Sequence, residues 1–462
     1  MCPLLDALRP RLRQLPPAQR YLIALSGGAD SLALLHGLWE LRDEFAPSLQ
    51  AIHVDHGLQA QSGHWADWCQ QHCAELGLDC IGLRLELPAQ SAEGLEASAR
   101  QARYAALQGQ MRPGDLLFTG HHQDDQAETL LLQLLRGSGL PGLAAMPWLR
   151  PFGPGWLARP LLDLPRQALL DALRQRGLGW LEDPSNASPD FDRNYLRHHI
   201  MPLLNQRWPA AARCLSRSAR HCAEAQDLLD KQAQVELGLS AVGPGSGGRQ
   251  DQLEISALIS RPLAERHWLL RAWLRRLAAP TPTSAQLHRL CTELLQAGAG
   301  RNPELIWGGV GVRRYRDRLY YLGRWPRPCP SPEPQDWAEP ETLQLPGNGW
   351  LYLRPAASGL DPALWQRQRL QVRYRQGGER CSARHKSLKK LLQEAAIPPW
   401  QRDRLPLLFA GERLIAIANW GVCATDARSP GPGLELVWRE AAAGQGPGTP
   451  LLPLGGRGPV GP

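Results

Sequence analysis

The stretch YLIALSGGADSLALL, residues 21–35, decides the fold of this chain. Its first five residues suit a buried strand, and the Leu-rich residues that end it are typical of a helix. Between them, Ser26, Gly27 and Gly28 form a turn that leads directly into the helix. The first N–H groups of a helix have no partner within it, and the helix dipole favours negative charge there. The stretch therefore predicts a strand–loop–helix unit that binds phosphate.

Three further strand-like segments follow: LQAIHVD (49–55), CIGLRLEL (80–87) and DLLFTG (115–120). Helical segments lie between and after them. Repeated strand–helix units are typical of a doubly wound α/β fold with a mostly parallel sheet. We therefore predict an α/β catalytic domain over residues 1–220.

The rest of the chain divides by composition. We predict a mostly helical domain over 221–325, containing a Gly-rich loop at 241–249. The stretch PRPCPSPEPQ predicts a Pro-rich linker at 326–336. A small, basic α+β domain is predicted over 337–440, and the Gly- and Pro-rich residues 441–462 are typical of a disordered tail.

Composition and charge narrow the function classes. The net charge of +8 fits an anionic partner such as nucleic acid, although Arg-rich codon usage would explain it equally well. The sequence contains no C-x-x-C pair, which argues against a zinc ribbon or a thioredoxin-like site. It also lacks a signal-peptide core and an 18-residue apolar stretch. We therefore expect a cytoplasmic protein with reduced thiols and no membrane partner.

The SGGADS loop lacks both the G-x-x-x-x-G-K-[ST] and the G-x-G-x-x-G patterns, so it differs from the commonest nucleotide-binding loops. Glycines allow close approach of the backbone to phosphate oxygens, and serine hydroxyls add donors. A purely structural turn is the alternative. The residues expected to hold phosphate are Ser26, Gly27, Gly28, Ala29, Asp30 and Ser31.

A second motif, GHHQDDQAETLLLQLLRGSG (120–139), carries acidic residues at helical spacing. Asp124, Asp125 and Glu128 are three and four residues apart, so a helix start gathers them on one face. Aspartates also simply favour the first turn of a helix. Three carboxylates and two histidines are more than capping needs, and such a cluster would suit Mg²⁺ through oxygen ligands or the ammonium group of an amine substrate.

Two further motifs have both a structural and a functional interpretation. In IHVDHGL, we interpret His53, Asp55 and His56 as pocket or structural residues, because no H-x-H precedes them as a zinc site would require. In LEASARQARYAAL, Glu96, Arg100 and Arg103 share one helix side. This side is either a solvated face with an ion pair, or a face whose arginines contact phosphate or an adenylated intermediate.

These motifs resemble those of a known superfamily. SGGADS is similar to the pyrophosphate loop of the N-type ATP pyrophosphatases, and GHHxDDQxET, VDHGL and A-R-x-x-R-Y resemble the tRNA(Ile)-lysidine synthase family within it. The resemblance implies an enzyme that uses ATP and L-lysine to convert the wobble cytidine of the CAU-anticodon tRNA(Ile) into lysidine, releasing AMP and pyrophosphate. It further implies Mg²⁺ at Asp30 and a nucleotide pocket lined by His53, Asp55 and His56. The catalytic candidates that it implies are Asp30, Arg100, Asp124, Asp125 and Glu128.

The resemblance continues beyond the first domain. DPSN followed by RN and LR, and later R-x-G-G-E-R…LKKLLQE…IPPWxR, are similar to the same family. Basic side chains in these segments would contact RNA, whereas a solvated charged face is the alternative. The residues implied to contact tRNA are Arg103, Arg193, Asn194, Arg197, Arg373, Arg375, Arg380, Lys386, Lys389 and Lys390.

Other functions stay open at this point. A tRNA 2-thiolase of the same superfamily would carry C-x-x-C cysteines, which this chain lacks. A metal-dependent hydrolase or a non-catalytic RNA-binding protein would explain the His/Asp clusters and the basic surface, but neither needs SGGADS. The division of labour among the carboxylates and the assembly state, with a homodimer as one option, are also left open.

Overall fold

A computed structural model describes most of the chain, and contacts divide it into two compact units, Met1–Lys231 and Gln232–Pro462. The domain boundaries expected from the sequence stay predictions. His56, the loop 241–249, the tail 441–462 and most of the linker lie outside the described residues. The described residues are 3–45, 48–55, 57, 62–85, 95–184, 191–238, 251–298, 300–324 and 333–439.

The first unit contains a six-stranded sheet. Its strands are β1 (Tyr21–Ala24), β2 (Leu49–Asp55), β3 (Asp79–Arg84), β4 (Leu116–Phe118), β5 (Leu149–Phe152) and β6 (Gly155–Ala158). Their order is β3-β2-β1-β4-β6-β5, and every neighbouring pair is parallel except the β5–β6 hairpin. The strand order reverses at β1, so the carboxyl ends of β1 and β4 lie side by side.

Helices surround this sheet. They are α1 (Pro3–Leu12), α2 (Ala29–Glu40), α3 (Arg42–Phe45), α4 (Ser62–Glu75), α5 (Leu95–Gly109), α6 (Gln123–Leu135), α7 (Leu140–Leu143), α8 (Arg166–Gln175), α9 (Asp192–Tyr195), α10 (Met201–Arg207) and α11 (Ala211–Glu236), with a π-helical stretch at Leu196–Ile200. In the described ranges, no helix of the chain combines the length and apolar character needed to cross a bilayer.

Both faces of the sheet are covered by apolar side chains. Ile23 packs into a cluster with Leu32 and Leu35 of α2, whereas its neighbour Leu22 packs into a second cluster with Leu107 of α5. Successive residues of a strand point to opposite faces, so this split places helices on both sides. The predicted α/β class with a mostly parallel, doubly wound sheet is confirmed.

The second unit begins with helices and an antiparallel sheet that the sequence did not predict. Trp273 is fully buried in the shared core of this part. The helices confirm the predicted helical middle. The elements are β7 (Gln252–Glu254), α12 (Ser256–Ile259), α13 (Leu263–Arg276), α14 (Ser284–Arg289), β8 (Glu304–Trp307), β9 (Val310–Tyr315) and β10 (Arg318–Arg324), with a π-helical stretch at Leu290–Leu294.

The last part of the chain is the predicted small α+β region. Its strands are β11 (Gln335–Asp336), β12 (Leu343–Leu345), β13 (Gly349–Ala356), β14 (Leu370–Arg373), β15 (Arg380–Cys381), β16 (Lys386–Ser387), β17 (Leu407–Ala410), β18 (Arg413–Ile417), β19 (Gly421–Val422) and β20 (Gly433–Arg439). Its helices are α15 (Leu364–Arg367), α16 (Leu388–Glu394) and α17 (Pro399–Arg402). Trp400 of α17 packs edge-to-face against Tyr315 and Tyr320 of the preceding sheet.

A buried ion pair ties the starts of β1 and β4 together. Arg20 Nη2 lies 2.6 Å from Asp115 Oδ2, and the same oxygen accepts a hydrogen bond from the Arg112 backbone N–H at 2.8 Å. The Asp115 side chain is 2% exposed. Removing one partner of such a pair leaves the other charge buried without compensation.

We therefore expect Asp115→Ala to destabilise the first unit by about 3 kcal/mol. The matched control is Asp171→Ala, because Asp171 pairs with Arg174 on the exposed face of α8 and should cost less than about 1 kcal/mol. Urea unfolding of both variants and the wild type measures the difference. Equal midpoints for the two variants would contradict the structural role given to Asp115.

Candidate active site

Hydrogen bonds within the loop between β1 and α2 fix its conformation. The Ser26 backbone N–H donates to Ser31 Oγ at 3.1 Å, and that hydroxyl donates to the Gly28 carbonyl at 3.0 Å. Gly27 has a φ of +83°, and a Cβ there would lie 2.6 Å from Leu181 Cδ1, so the position requires glycine. Gly28 begins α2 without a side-chain cap. The first backbone donors of α2 are therefore available to an anion.

Gly120, at the carboxyl end of β4, supports this helix start. A Cβ on Gly120 would lie 2.6 Å from the Asp30 carbonyl oxygen and 2.9 Å from the Ser31 nitrogen. The neighbouring strand thus packs directly on the backbone of the first turn of α2. Only a residue without a side chain allows this approach.

Asp30 occupies the first turn of α2 and faces cations. Its Oδ2 lies 3.5 Å from His122 Nε2, and its Oδ1 lies 3.6 Å from Arg166 Nε. Oδ1 is buried and accepts no hydrogen bond from the described residues. A buried carboxylate oxygen without a hydrogen-bond donor is suited to an additional cation.

The carboxylates of α6 meet two arginines. Glu128 Oε1 accepts from Arg197 Nε at 2.7 Å, and its Oε2 accepts from Arg193 Nε at 2.9 Å. Asp125 Oδ1 lies 2.8 Å from Arg197 Nη2 and 3.2 Å from Arg193 Nη2. Glu128 is 2% exposed. The structure therefore brings together four residues that the sequence assigned to two different roles.

His122, at the start of α6, is a buried cation. Burial alone would lower its pKa, but the carboxylates of Asp125, Asp124 and Asp30 raise the pKa to about 10. Its ring nitrogens lie 3.4–3.6 Å from oxygens of these three side chains. The adjacent His121 is neutral, because burial lowers its pKa to about 3. Its Nδ1 contacts the Thr119 hydroxyl at 2.9 Å.

Asp124 and Asp125 keep their negative charges in this setting. Burial would raise the pKa of Asp125, but His122 and Arg193 hold it well below its usual range. The pKa of Asp124 is also lowered, since His122 and the Arg166 backbone N–H outweigh its burial. That N–H donates to Asp124 Oδ2 at 2.9 Å and begins α8. Asp124 therefore links the starts of α6 and α8.

The other predicted residues of the first unit lie around this centre. His53 Nδ1 bonds the Leu25 carbonyl at 2.9 Å, and burial lowers the pKa of His53, so it is a neutral support for the loop. Asp55 Oδ1 accepts from the Gly57 N–H at 2.8 Å.

On α5, the guanidinium carbons of Arg100 and Arg103 lie 5.3 and 5.7 Å from the centre of the Tyr104 ring. Asn194 lies on α9, between Arg193 and Tyr195.

In the second unit, several of the predicted RNA-contacting cations already have carboxylate partners. Arg373 lies 3.1 Å from Glu412, Arg375 lies 3.4 Å from Asp403, and Lys386 lies 2.9 Å from Glu394. Arg380, Lys389 and Lys390 are exposed, and within the described ranges none of them forms an ion pair. A cavity of about 720 Å³ is lined by residues 373, 374, 376–380, 382, 409, 410 and 412–414, and so includes Arg380.

Two residues of the site were missed at the sequence level. His122 carries the central positive charge, and the GHH motif was the signal that could have found it. Arg166 contacts Asp30 from α8, and no spacing along the chain indicates that contact. Within the part of the chain that the structure describes, no group of three or more His, Cys, Asp or Glu side chains is arranged as a metal site.

Family models match three segments of the chain. Residues 5–204 match the PP-loop domain, residues 253–320 match the TilS substrate binding domain, and residues 370–438 match the TilS substrate C-terminal domain. Among solved structures, the U34-tRNA thiolase NcsA from Methanococcus maripaludis is 20% identical. That alignment covers 48% of this chain and 78% of the thiolase, with a TM-score of 0.41.

Curated relatives match along most of their length. The tRNA(Ile)-lysidine synthase of Alkalilimnicola ehrlichii is 44% identical, over 92% of this chain and 95% of the relative. The enzyme of the same name from Methylococcus capsulatus is 39% identical, over 90% of this chain and 94% of the relative. Together with the loop at the start of α2 and the carboxylates of α6, these matches show that the chain belongs to the tRNA(Ile)-lysidine synthase family.

Proposed function

We propose that this chain joins L-lysine to C2 of the wobble cytidine, position 34, of the tRNA(Ile) with a CAU anticodon. ATP is cleaved to AMP and pyrophosphate in the reaction. The observation that carries the proposal is the start of α2, where SGGADS presents backbone donors without a side-chain cap. The family membership of the chain supplies the reaction class.

The first step activates the base. The O2 oxygen of the cytidine attacks the α-phosphorus of ATP, the bond from that phosphorus to the bridging oxygen breaks, and pyrophosphate leaves. The O2 oxygen alone is a poor leaving group from C2. Once it is adenylated, it can leave as part of AMP. The N–H groups of Ala29 and Asp30 at the start of α2 face the phosphates and offset their negative charge.

The second step forms the new bond. The ε-amine of lysine attacks C2, the C2–O2 bond breaks with release of AMP, and the amine proton passes to a carboxylate. Asp124, Asp125 and Glu128 supply the negative charge that holds the lysine ammonium. Arg193 and Arg197 each donate to both Asp125 and Glu128, and Arg197 contacts both oxygens of Glu128, so these two carboxylates are preorganised.

The residues present fit Mg²⁺ at Asp30. Mg²⁺ in nucleotide sites commonly binds one or two carboxylates together with phosphate oxygens and waters. Asp30 Oδ1 is buried without a hydrogen-bond donor among the described residues, and it lies in the first turn of the phosphate-binding helix. Bound there, Mg²⁺ would neutralise charge on the departing pyrophosphate.

The second unit is proposed to hold the tRNA. A single cytidine offers little binding energy, so affinity has to come from contacts to the RNA backbone. Lys389 and Lys390 lie in the first turn of α16, are exposed, and form no ion pair within 4.0 Å among the described residues. They are better placed for phosphate contacts than Arg373 or Arg375, which already lie beside carboxylates.

The direct test is to incubate the full chain with ATP, labelled lysine and tRNA(Ile), digest the tRNA and identify the modified nucleoside. We expect lysidine and one pyrophosphate per turnover, with Asp30→Ala reducing pyrophosphate release more than about 100-fold. Asp43→Ala, an exposed site, is the control and should react as the wild type. Stoichiometric zinc without pyrophosphate release would favour a hydrolase, and tRNA binding without product would favour a non-catalytic binder.

Gly120→Ala tests whether β4 sets the shape of the nucleotide site. Its new Cβ would have to displace the Asp30 backbone, so we expect the Kd for ATP to rise at least about tenfold, equivalent to about 1.4 kcal/mol. Gly63→Ala is the control, because a Cβ there meets nothing within 4 Å. Calorimetric titration with ATP measures both. Unchanged ATP affinity in Gly120→Ala would contradict this role.

The double variant Lys389→Gln/Lys390→Gln tests the RNA contact of α16. We expect the Kd for tRNA to rise about tenfold. The slope of log Kd against log salt should fall by the amount that about two phosphate contacts contribute. Arg367→Gln/Arg369→Gln removes the same charge from arginines that lie beside aspartates. Filter binding at several salt concentrations compares the pairs. Equal losses of tRNA affinity in the two double variants would mean that binding depends only on net charge.

A further inference from the structure

Three arginines lie close to Tyr104, and a fourth lies over the Phe152 ring that packs on it. Arg100 and Arg103 lie on α5 over the Tyr104 ring. Arg159 follows β6 and is 4% exposed. Arg150 of β5 lies 5.3 Å from the centre of the Phe152 ring, which packs edge-to-face on Tyr104 at 5.7 Å. We call these four residues, Arg100, Arg103, Arg150 and Arg159, the arginine cluster.

The arginine cluster is crowded with like charge. Burial lowers the pKa of Arg159, and Arg150 and Arg100 lower it further, against the opposing effect of Tyr104. Burial likewise lowers the pKa of Arg103, with a contribution from Arg100. Burial would raise the pKa of Tyr104, but the surrounding guanidinium groups lower it overall. The space around Tyr104 therefore favours a negative charge.

Acidic side chains do not relieve this crowding in the part of the chain that the structure describes. Among the side chains that the structure describes, which do not include that of Glu96 on α5, none of the four arginines forms an ion pair with Asp or Glu, in contrast to Arg193 and Arg197. The buried Nε atoms of Arg150 and Arg159 also lack hydrogen-bond partners there. Arg159 is held by its Nη1, which donates to the Pro147 carbonyl at 2.8 Å. Buried donors of this kind suit an anion that is absent from the chain itself.

The arginine cluster adjoins the proposed reaction centre. Arg193 lies 3.2 Å from Asp125. Its charge also contributes to the lowered pKa of Arg103. The charges of Asp125, Arg159 and Arg100 all act on the pKa of the buried His121. An anion among the four arginines would therefore be adjacent to the carboxylates proposed to hold lysine.

We propose that the arginine cluster binds a backbone phosphate of the substrate RNA next to the reacting cytidine, with Arg150 and Arg159 as substrate-binding residues. The proposal rests on the proposed function. The planar guanidinium fork binds two phosphate oxygens at once, and the rings of Tyr104 and Phe152 hold the planes of Arg100, Arg103 and Arg150 in place. The α-phosphate of the nucleotide has the same chemistry. The RNA phosphate is favoured because the start of α2 already provides donors for the nucleotide.

Arg150→Gln in the full chain tests the proposal, with Arg150→Lys as a second variant that keeps the charge but loses the fork. We expect Arg150→Gln to raise the Kd for tRNA(Ile) about fivefold and to reduce the salt dependence by about one phosphate contact, with the Kd for ATP unchanged. Arg174→Gln, which removes an exposed arginine of α8, should bind tRNA as the wild type does.

A tRNA with one neutral methylphosphonate at either phosphate flanking cytidine 34 identifies the contact. If Arg150 binds that phosphate, the modification weakens binding by the wild type, and it weakens binding by Arg150→Gln less, because the two changes share the Arg150–phosphate interaction. The proposal would be overturned by additive losses of tRNA affinity or by an unchanged Kd for tRNA in Arg150→Gln. It would also be overturned by a raised Kd for ATP with unchanged tRNA binding. Lysidine formation by the wild type is scored separately, so failure of the proposed function is distinguishable.

Discussion

The site depends on a helix start that nothing within the described chain caps with a side chain. Gly28 contributes no capping group to α2, and the two serines of the loop bond each other and the loop backbone instead. The backbone N–H groups in the first turn of α2 are therefore left without a side-chain acceptor among the described residues. Because helix N–H groups cannot find partners within the helix, this arrangement is stabilised when an anion binds. Gly120 allows the adjacent strand to hold that turn in place.

Around the helix start, opposite charges are buried in close pairs. Asp30, Asp124 and Asp125 surround His122, while Arg193 and Arg197 hold Asp125 and Glu128. Buried charges are costly unless paired, and these carboxylates depend on the cations His122, Arg193 and Arg197. The result is a set of paired opposite charges with fixed geometry. In the arginine cluster beside it, cations predominate.

The second unit shows why a count of basic residues overstates the RNA surface. The segment around β14–α16 is rich in arginine and lysine, yet Arg373, Arg375 and Lys386 lie within ion-pair distance of carboxylates. Exposed pairs of this kind are weak and can rearrange. Lys389 and Lys390 are exposed and, among the described residues, lie outside ion-pair distance of a carboxylate, which is why they are proposed to contact phosphate.

The sequence by itself determined the local units and their order. Apolar runs and glycine turns predicted β1, β2 and β4 close to their observed bounds. SGGADS predicted the start of α2, and phosphate binding there stays a prediction. The β5–β6 hairpin and the β7–β10 sheet were not predicted, because their strands are short and pair with partners whose identity is not encoded locally. The spacing of Asp124, Asp125 and Glu128 placed them on one helix face.

Only the tertiary structure decided which cations those carboxylates meet. Arg166, Arg193 and Arg197 come from later helices, and they reach the site because the strand order places β1 and β4 side by side. Arg150 and Arg159 join Arg100 and Arg103 for a similar reason, since the β5–β6 hairpin packs beside α5. Charge pairing in a buried site depends on distances of a few ångströms between distant segments. Spacing along one segment carries no information about those distances.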